Sequence, residues 1–341
     1  MNIKKLSPGD TVGIFTPSTP AYCFCREKFD LGIDQIKRAG FQVILGDLSK
    51  NNQSQGYRSG TPKERADEFM SLYRNPEVKA LIATIGGSNS SSMIDYLDFD
   101  YIKKNPKIVV GFSDVTSLQI ALLKYANLRS FYGPAVMTGW SDFPNGEEST
   151  INSFLTATMD VENYPRELIS FKQWSNHFRD WGNGDWKKLP REWNQSTGYE
   201  ILHEGVVSGE IIVANLNTFA SCVGTPYFPD LTDKILLLES MDAPLSAEER
   251  NLRHLKHAGV FKKIKGLIIG RPEKFNHQGA PFSLHDLYIE IIGDELTFPV
   301  VGSVDISHTL PMHTLRQLSE IELKVTKDEA SITVLKPMVT Q

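Results

Sequence analysis

Residues Ile108-Val109-Val110-Gly111-Phe112-Ser113-Asp114-Val115-Thr116-Ser117-Leu118-Gln119-Ile120-Ala121-Leu122-Leu123 change character once, and the point of change organises the chain. The apolar, β-branched run over 108–110 predicts a buried strand, and after the turn the apolar spacing takes the helical period. Between the two lie Gly111, Ser113 and Asp114. A glycine lets the backbone turn tightly, which would leave Ser113 at the apex of a strand-to-helix turn with its hydroxyl exposed. The Asp114 amide would open the helix, where N–H groups lack intrahelical acceptors and can face developing negative charge. The G-x-S-D turn lacks the last glycine of a G-x-S-x-G elbow, and an aspartate here also suits an ordinary acidic first helical turn. On local grounds both readings stand.

Working outward, the first 140 residues alternate strand and helix. Asp10–Phe15 reads as a strand, Phe29–Ala39 as a helix, and Phe41–Leu45 as the next strand after a Gly40 cap. Thr61-Pro62 opens a helix to about Tyr73, with proline at its first position, and Val78–Thr84 is a further strand. Such alternation predicts a parallel sheet covered by helices, with ligands outside the carboxyl ends of the strands. Gly86-Gly87 and Ser113 both fall at such ends.

From Phe171 to Gly198 the periodicity stops, and Trp174, Trp181, Trp186 and Trp193 stand among Asn, Asp, Gly and Lys. Four tryptophans argue against disorder, so the segment reads as a functional loop. Short strands follow at Glu204–Val213, Lys234–Glu239, Gly266–Gly270 and Val300–Val304, with a hairpin over Ser319–Leu335. Helices are expected near Ser246–His257 and Ser283–Ile292. The chain therefore divides into an N-terminal α/β domain over 1–165 carrying the serine, a tryptophan-rich connecting and substrate loop over 166–200, and a mixed α/β domain over 201–341.

Composition bounds the function. With 341 residues, 40% hydrophobic and 23% charged, the chain has the make-up of a soluble protein of two domains, and a net charge of −5 argues against binding a nucleic-acid polymer. No apolar run is long enough to cross a bilayer and Met1–Asp10 has no signal-peptide core, so the expected location is cytoplasmic, without membrane association. Three cysteines without a framework suit reduced thiols. Cys23 and Cys25 have the wrong spacing for a zinc knuckle or a redox pair. His254 and His257 lie three apart on a helix among Arg253, Lys256, Lys262 and Lys263, which reads as a solvated cationic face rather than a metal site. No metal and no cofactor is expected. The first strand runs into Gly13-Ile14-Phe15-Thr16-Pro17-Ser18 without the dinucleotide fingerprint.

Two more strand ends carry chemistry. Ile235-Leu236-Leu237-Leu238-Glu239 places a carboxylate at the end of an apolar strand, and Val304-Asp305-Ile306-Ser307-His308 places a histidine just past another. Serine, glutamate and histidine at three strand ends are the ingredients of a triad assembled in space. His313, five residues on, is a rival for the base.

The chain resembles the LD-carboxypeptidase family of serine peptidases, and within it the microcin C self-immunity branch. The resemblance is carried by Leu6–Ser18, Thr84-Ile85-Gly86-Gly87 with Asn89-Ser90, the G-F-S-D turn, Phe131-Tyr132-Gly133-Pro134, Asn215-Leu216-Asn217-Thr218, Leu237-Leu238-Glu239, and Val304-Asp305 with His308-Thr309. It implies a Rossmann- or flavodoxin-like parallel-sheet domain followed by a mixed α/β domain of the swivelling type, working as a homodimer. It also implies Ser113 as nucleophile, His308 as general base and Glu239 as the group orienting it. The Gly87 and Asp114 amides would form an oxyanion hole. Gly86, Ser88 and Asn89 would bind substrate, and Trp181 or Trp186 would stack a nucleobase. The implied partner is a small molecule, either an aminoacyl- or peptidyl-nucleotide or an L,D-peptide, and a non-catalytic binding protein on this fold stays open. Ser307 where glycine is common, Ile212-Val213-Ala214 before the N-L pair, and the text from Thr309 to Leu318 depart from the family and bear on specificity.

Overall fold

The computed structural model describes residues 3–341, which build two large sheets and a two-stranded ribbon. The first has six strands in the order Leu315–Arg316, Phe131–Tyr132, Ile108–Gly111, Val78–Ala83, Thr11–Phe15 and Gln42–Leu45. All its pairings are parallel except that of Leu315–Arg316, which runs antiparallel to Phe131–Tyr132. Val12, Ile14, Leu81, Ile82, Val109 and Val110 are fully buried, as strands covered on both faces by helices must be. The helix Arg26–Arg38 starts earlier than the sequence pattern implied. Pro62–Arg74 begins where Thr61 and Glu64 exchange a reciprocal capping box behind Pro62.

The second sheet has eight strands: Arg166–Glu167, Ala330–Val334, Glu320–Val325, Gly205–Asn215, Ile235–Glu239, Gly266–Gly270, Val300–Val304 and Glu200–His203. Its long strand Gly205–Asn215 joins two regimes. Residues 205–210 pair antiparallel with Glu320–Val325 and alternate in exposure, whereas 211–215 pair parallel with Ile235–Glu239 and are buried. The parallel half brings Asn215 and Glu239 side by side at one carboxyl edge.

The loop between the sheets is ordered by its own contacts. Gln173–Trp174 pairs with Asn194–Gln195, Asp185–Lys188 makes one helical turn, and Ser175 exchanges two main-chain hydrogen bonds with Leu310, two residues past His308. Among the described residues, no helix is long and apolar enough to cross a membrane.

Candidate active site

The strand Ile108–Gly111 ends in a short 3₁₀ turn, Ser113–Val115, that leads into the helix Thr116–Ala126. Ser113 has φ of +62°, a left-handed conformation that a residue with a Cβ occupies only when its surroundings hold it there. Those surroundings are visible: Ser113 N–H donates to the Tyr132 hydroxyl at 3.2 Å, and Asp114 Oδ2 accepts from the amides of Asn89 and Ser90 at 2.9 and 2.8 Å. The Asp114 carboxylate thus caps a different segment from its own helix and ties the serine turn to the glycine pair. A Cβ on Gly86 would sit 3.1 Å from Ser113 Oγ, and one on Gly87, at φ +146°, would sit 2.4 Å from Ser18 Oγ, so only glycine lets this backbone lie against the serine. Among the described residues, the amides of Gly87 and Asp114 have no acceptor.

Glu239 and His308 meet. His308 Nδ1 lies 2.6 Å from Glu239 Oε2, with the Glu239 side chain wholly buried. A carboxylate only accepts, so Nδ1 carries the proton and Nε2 is left as the free basic nitrogen. Burial of the ring opposes its charge, but Glu239, through its charge and hydrogen bond, and Glu273 outweigh that and raise the His308 pKa above its ordinary value. The other Glu239 oxygen accepts from Tyr132 Oη at 2.5 Å and Asn215 Nδ2 at 3.0 Å. Burial first, and then Glu239 beside it, push the Tyr132 phenol well above its usual range, so it remains a donor. Tyr132 therefore links the amide of Ser113 to the carboxylate behind His308. Its F-Y-G-P motif was visible in sequence, but the role of its hydroxyl was not.

Ser113, His308, Gly86 and Gly87 line one cavity of about 250 Å³, together with Lys28, Asp142, Arg179, Trp181, Trp186, Arg191 and Glu273. Ser88 and Asn89 are not among its walls: their amides turn to Ser18 Oγ at 3.0 and 3.1 Å. His313 is also elsewhere, bonded through Nε2 to the Ile169 carbonyl at 3.0 Å and stacked on Phe171 at 4.3 Å. Of the four loop tryptophans, Trp181 and Trp186 reach the cavity, Trp174 stacks under Arg271, and Trp193 is exposed. Glu273, overlooked in the sequence, is a second carboxyl facing His308, pushed up to about 7 by burial against the pull of His308 and Arg191.

Family comparison agrees with this architecture. The LD-carboxypeptidase N-terminal domain matches residues 12–133 and the LD-carboxypeptidase C-terminal domain matches 208–323. A Vibrio cholerae protein named as a carboxypeptidase is 34% identical over 91% of this chain and 90% of its own length. The microcin C7 self-immunity protein MccF of Escherichia coli is 32% identical over 96% of this chain and 94% of its own. The structure of MccF in complex with aspartyl sulfamoyl adenosine superposes with a TM-score of 0.93 at 30% identity, covering all of both chains. The chain belongs to the LD-carboxypeptidase family and is a hydrolase of the serine-peptidase type.

Proposed function

We propose that the chain hydrolyses the amide of a small aminoacyl- or peptidyl-nucleotide through Ser113, His308 and Glu239. The observation that carries this reading is the continuous path from the Ser113 amide through Tyr132 and Glu239 to His308, with Ser113 and His308 on the same cavity wall. In the reaction, His308 Nε2 takes the Ser113 hydroxyl proton as Oγ bonds to the amide carbon. The carbonyl oxygen becomes an oxyanion facing the free amides of Gly87 and Asp114. The C–N bond then breaks, the leaving nitrogen takes the proton from His308, and an acyl-serine remains. Water, deprotonated by the same imidazole, attacks the ester and releases the acid. Glu239 holds the Nδ1–H tautomer and steadies the imidazolium without taking its proton.

The nucleotide reading is supported by the likeness to a protein crystallised with aspartyl sulfamoyl adenosine and by two tryptophans in the cavity wall, whose indole faces suit a nucleobase. The family's name favours the second reading, an L,D-carboxypeptidase acting on cell-wall peptides. In either case we place the enzyme in the cytoplasm as a homodimer, which sedimentation of the purified protein tests. The deciding experiment offers aspartyl sulfamoyl adenosine and an L,D-tetrapeptide to the enzyme and to Ser113→Ala, with product masses read. Loss of about a millionfold in the variant is expected for removal of a triad nucleophile. Turnover within tenfold of the parent would overturn the assignment.

A further inference from the structure

The cavity wall beneath the tryptophans holds more positive charge than the protein neutralises. Lys28 comes from the helix Arg26–Arg38 and is 4% exposed, yet its ammonium has a single protein acceptor, the Ser141 carbonyl at 2.9 Å. No carboxylate lies within ion-pair distance of it among the described residues; it faces the rings of Trp181 at 5.4 Å and Trp186 at 5.2 Å. The nearby acid, Asp142, is already committed: it pairs with Arg179 and receives Arg191 Nη2 at 2.6 Å. Two arginines therefore take up the one carboxylate beside Lys28, all four residues line the same cavity, and among the described residues Arg179 Nε is buried without a partner. Glu273, the other acid of the lining, sits near 7 and so supplies only part of a charge at neutral pH.

A buried cation without a counter-charge is costly, by several kcal/mol before relaxation, and such groups are retained where something completes them. Burial, abetted by Arg179 and Arg191 and opposed by Asp142, lowers the Lys28 pKa to about 8, so the ammonium is still mostly charged at neutral pH. Indole faces attract an ammonium but offer no lone pair, which leaves its remaining donors without an oxygen to meet. A ligand oxygen bearing negative charge supplies both the acceptor and the missing charge.

We propose that Lys28, with the positive wall it shares with Arg179 and Arg191, binds the anionic linkage of the substrate, a phosphoryl, phosphoramidate or sulfamoyl group between the acyl part and the nucleoside. The proposal rests on the nucleotide reading above and adds to it a site for charge. Trp181 and Trp186, held against the same ammonium, would then place a base and an anion next to one another, as a nucleotide requires.

The test separates charge from shape by measuring calorimetric binding of adenosine 5′-monophosphate and adenosine, neither of which has an amide to cleave. The parent should bind the monophosphate about ten- to a hundredfold more tightly, the worth of one charge-assisted hydrogen bond. Lys28→Met should reduce that preference to near unity while leaving adenosine affinity in place, and Lys28→Arg should restore part of it. Lys28→Gln provides a second neutral side chain if the methionine variant does not fold. A parent without preference for the monophosphate, or a preference that survives in Lys28→Met, overturns the proposal. Equal weakening of both ligands also overturns it, because Lys28 would then only prop the tryptophans. If neither ligand binds the parent, this site falls, while hydrolysis of aspartyl sulfamoyl adenosine still decides the function independently.

Discussion

The floor and the wall of the cavity are built by different physics. On the floor, Ser113, Glu239 and His308 sit at or just beyond the ends of buried strands, so main-chain ladders set their places and side chains such as Tyr132 and Asp114 adjust the last turn. The wall carries Trp181, Trp186, Arg179 and Arg191 on an irregular loop, held by ion pairs to Asp142, cation–π contacts to Lys28 and two hydrogen bonds to Leu310. A ladder tolerates sequence change along it, whereas a loop pinned by side chains can be refitted one substitution at a time. Under the proposed function, bond cleavage is thus built into the fold, and recognition is left to a part that can vary without disturbing it.

The sharpest way to break this contrast is at the floor. Glu239→Gln keeps the shape but removes the charge that holds the Nδ1–H tautomer, and turnover should fall about ten-thousandfold, as when a triad carboxylate becomes an amide. Steady-state kinetics should show the loss in kcat with KM little changed; a loss confined to KM would move Glu239 out of the catalytic floor. On the wall the effect should be smaller and selective. If Trp181 stacks a base, Trp181→Ala should lower kcat/KM for a nucleotide conjugate about ten- to a hundredfold and hardly touch an L,D-peptide. Trp186 is more enclosed, at 4% exposure and edge-on to Phe143, so Trp186→Ala should also lower the melting temperature. Equal losses on both substrates would make Trp181 a packing residue of the loop.

The acid limb of turnover belongs to the floor. In the proposed reaction only neutral His308 can accept the serine proton, and its pKa lies above the ordinary 6.5, so activity should fall about tenfold per pH unit on the acid side of a midpoint above that value. Tyr132→Phe should cost about tenfold in kcat, the worth of one hydrogen bond to a charged group. It should also move the midpoint further up, because Glu239, relieved of a donor, holds the imidazolium more strongly. A midpoint shifted downward, or unmoved, would show that Tyr132 does not act through Glu239.

The same division explains what could be read from sequence. Apolar runs ending in Gly111, Glu239 and Val304 are local signals, and the strands they announce bring the serine, glutamate and histidine to the floor. Tyr132 and Asn215 stood within recognisable motifs, but their contact with Glu239 depends on which strands become neighbours, a non-local fact. Lys28 was illegible for another reason. In Arg26-Glu27-Lys28-Phe29 it stands as one more charge just before the expected helix, and only the loop folding over it buries the ammonium. Ser88 and Asn89 illustrate the same limit, since the resemblance implies that they bind substrate while the direction of their amides, to Ser18 Oγ, depends on a segment 70 residues away.

The short strand Leu315–Arg316 has a bearing on biosynthesis. It lies beside Phe131–Tyr132 and closes the edge of the first sheet, although it emerges more than 180 residues later in a chain of 341. Until the ribosome has delivered Leu315–Arg316, the strand bearing Tyr132 has one unpaired edge, and His308 precedes that strand by only seven residues. A nascent chain therefore exposes that strand edge through most of its synthesis, and a product truncated before Leu315 should be recovered aggregated or bound by chaperones rather than free.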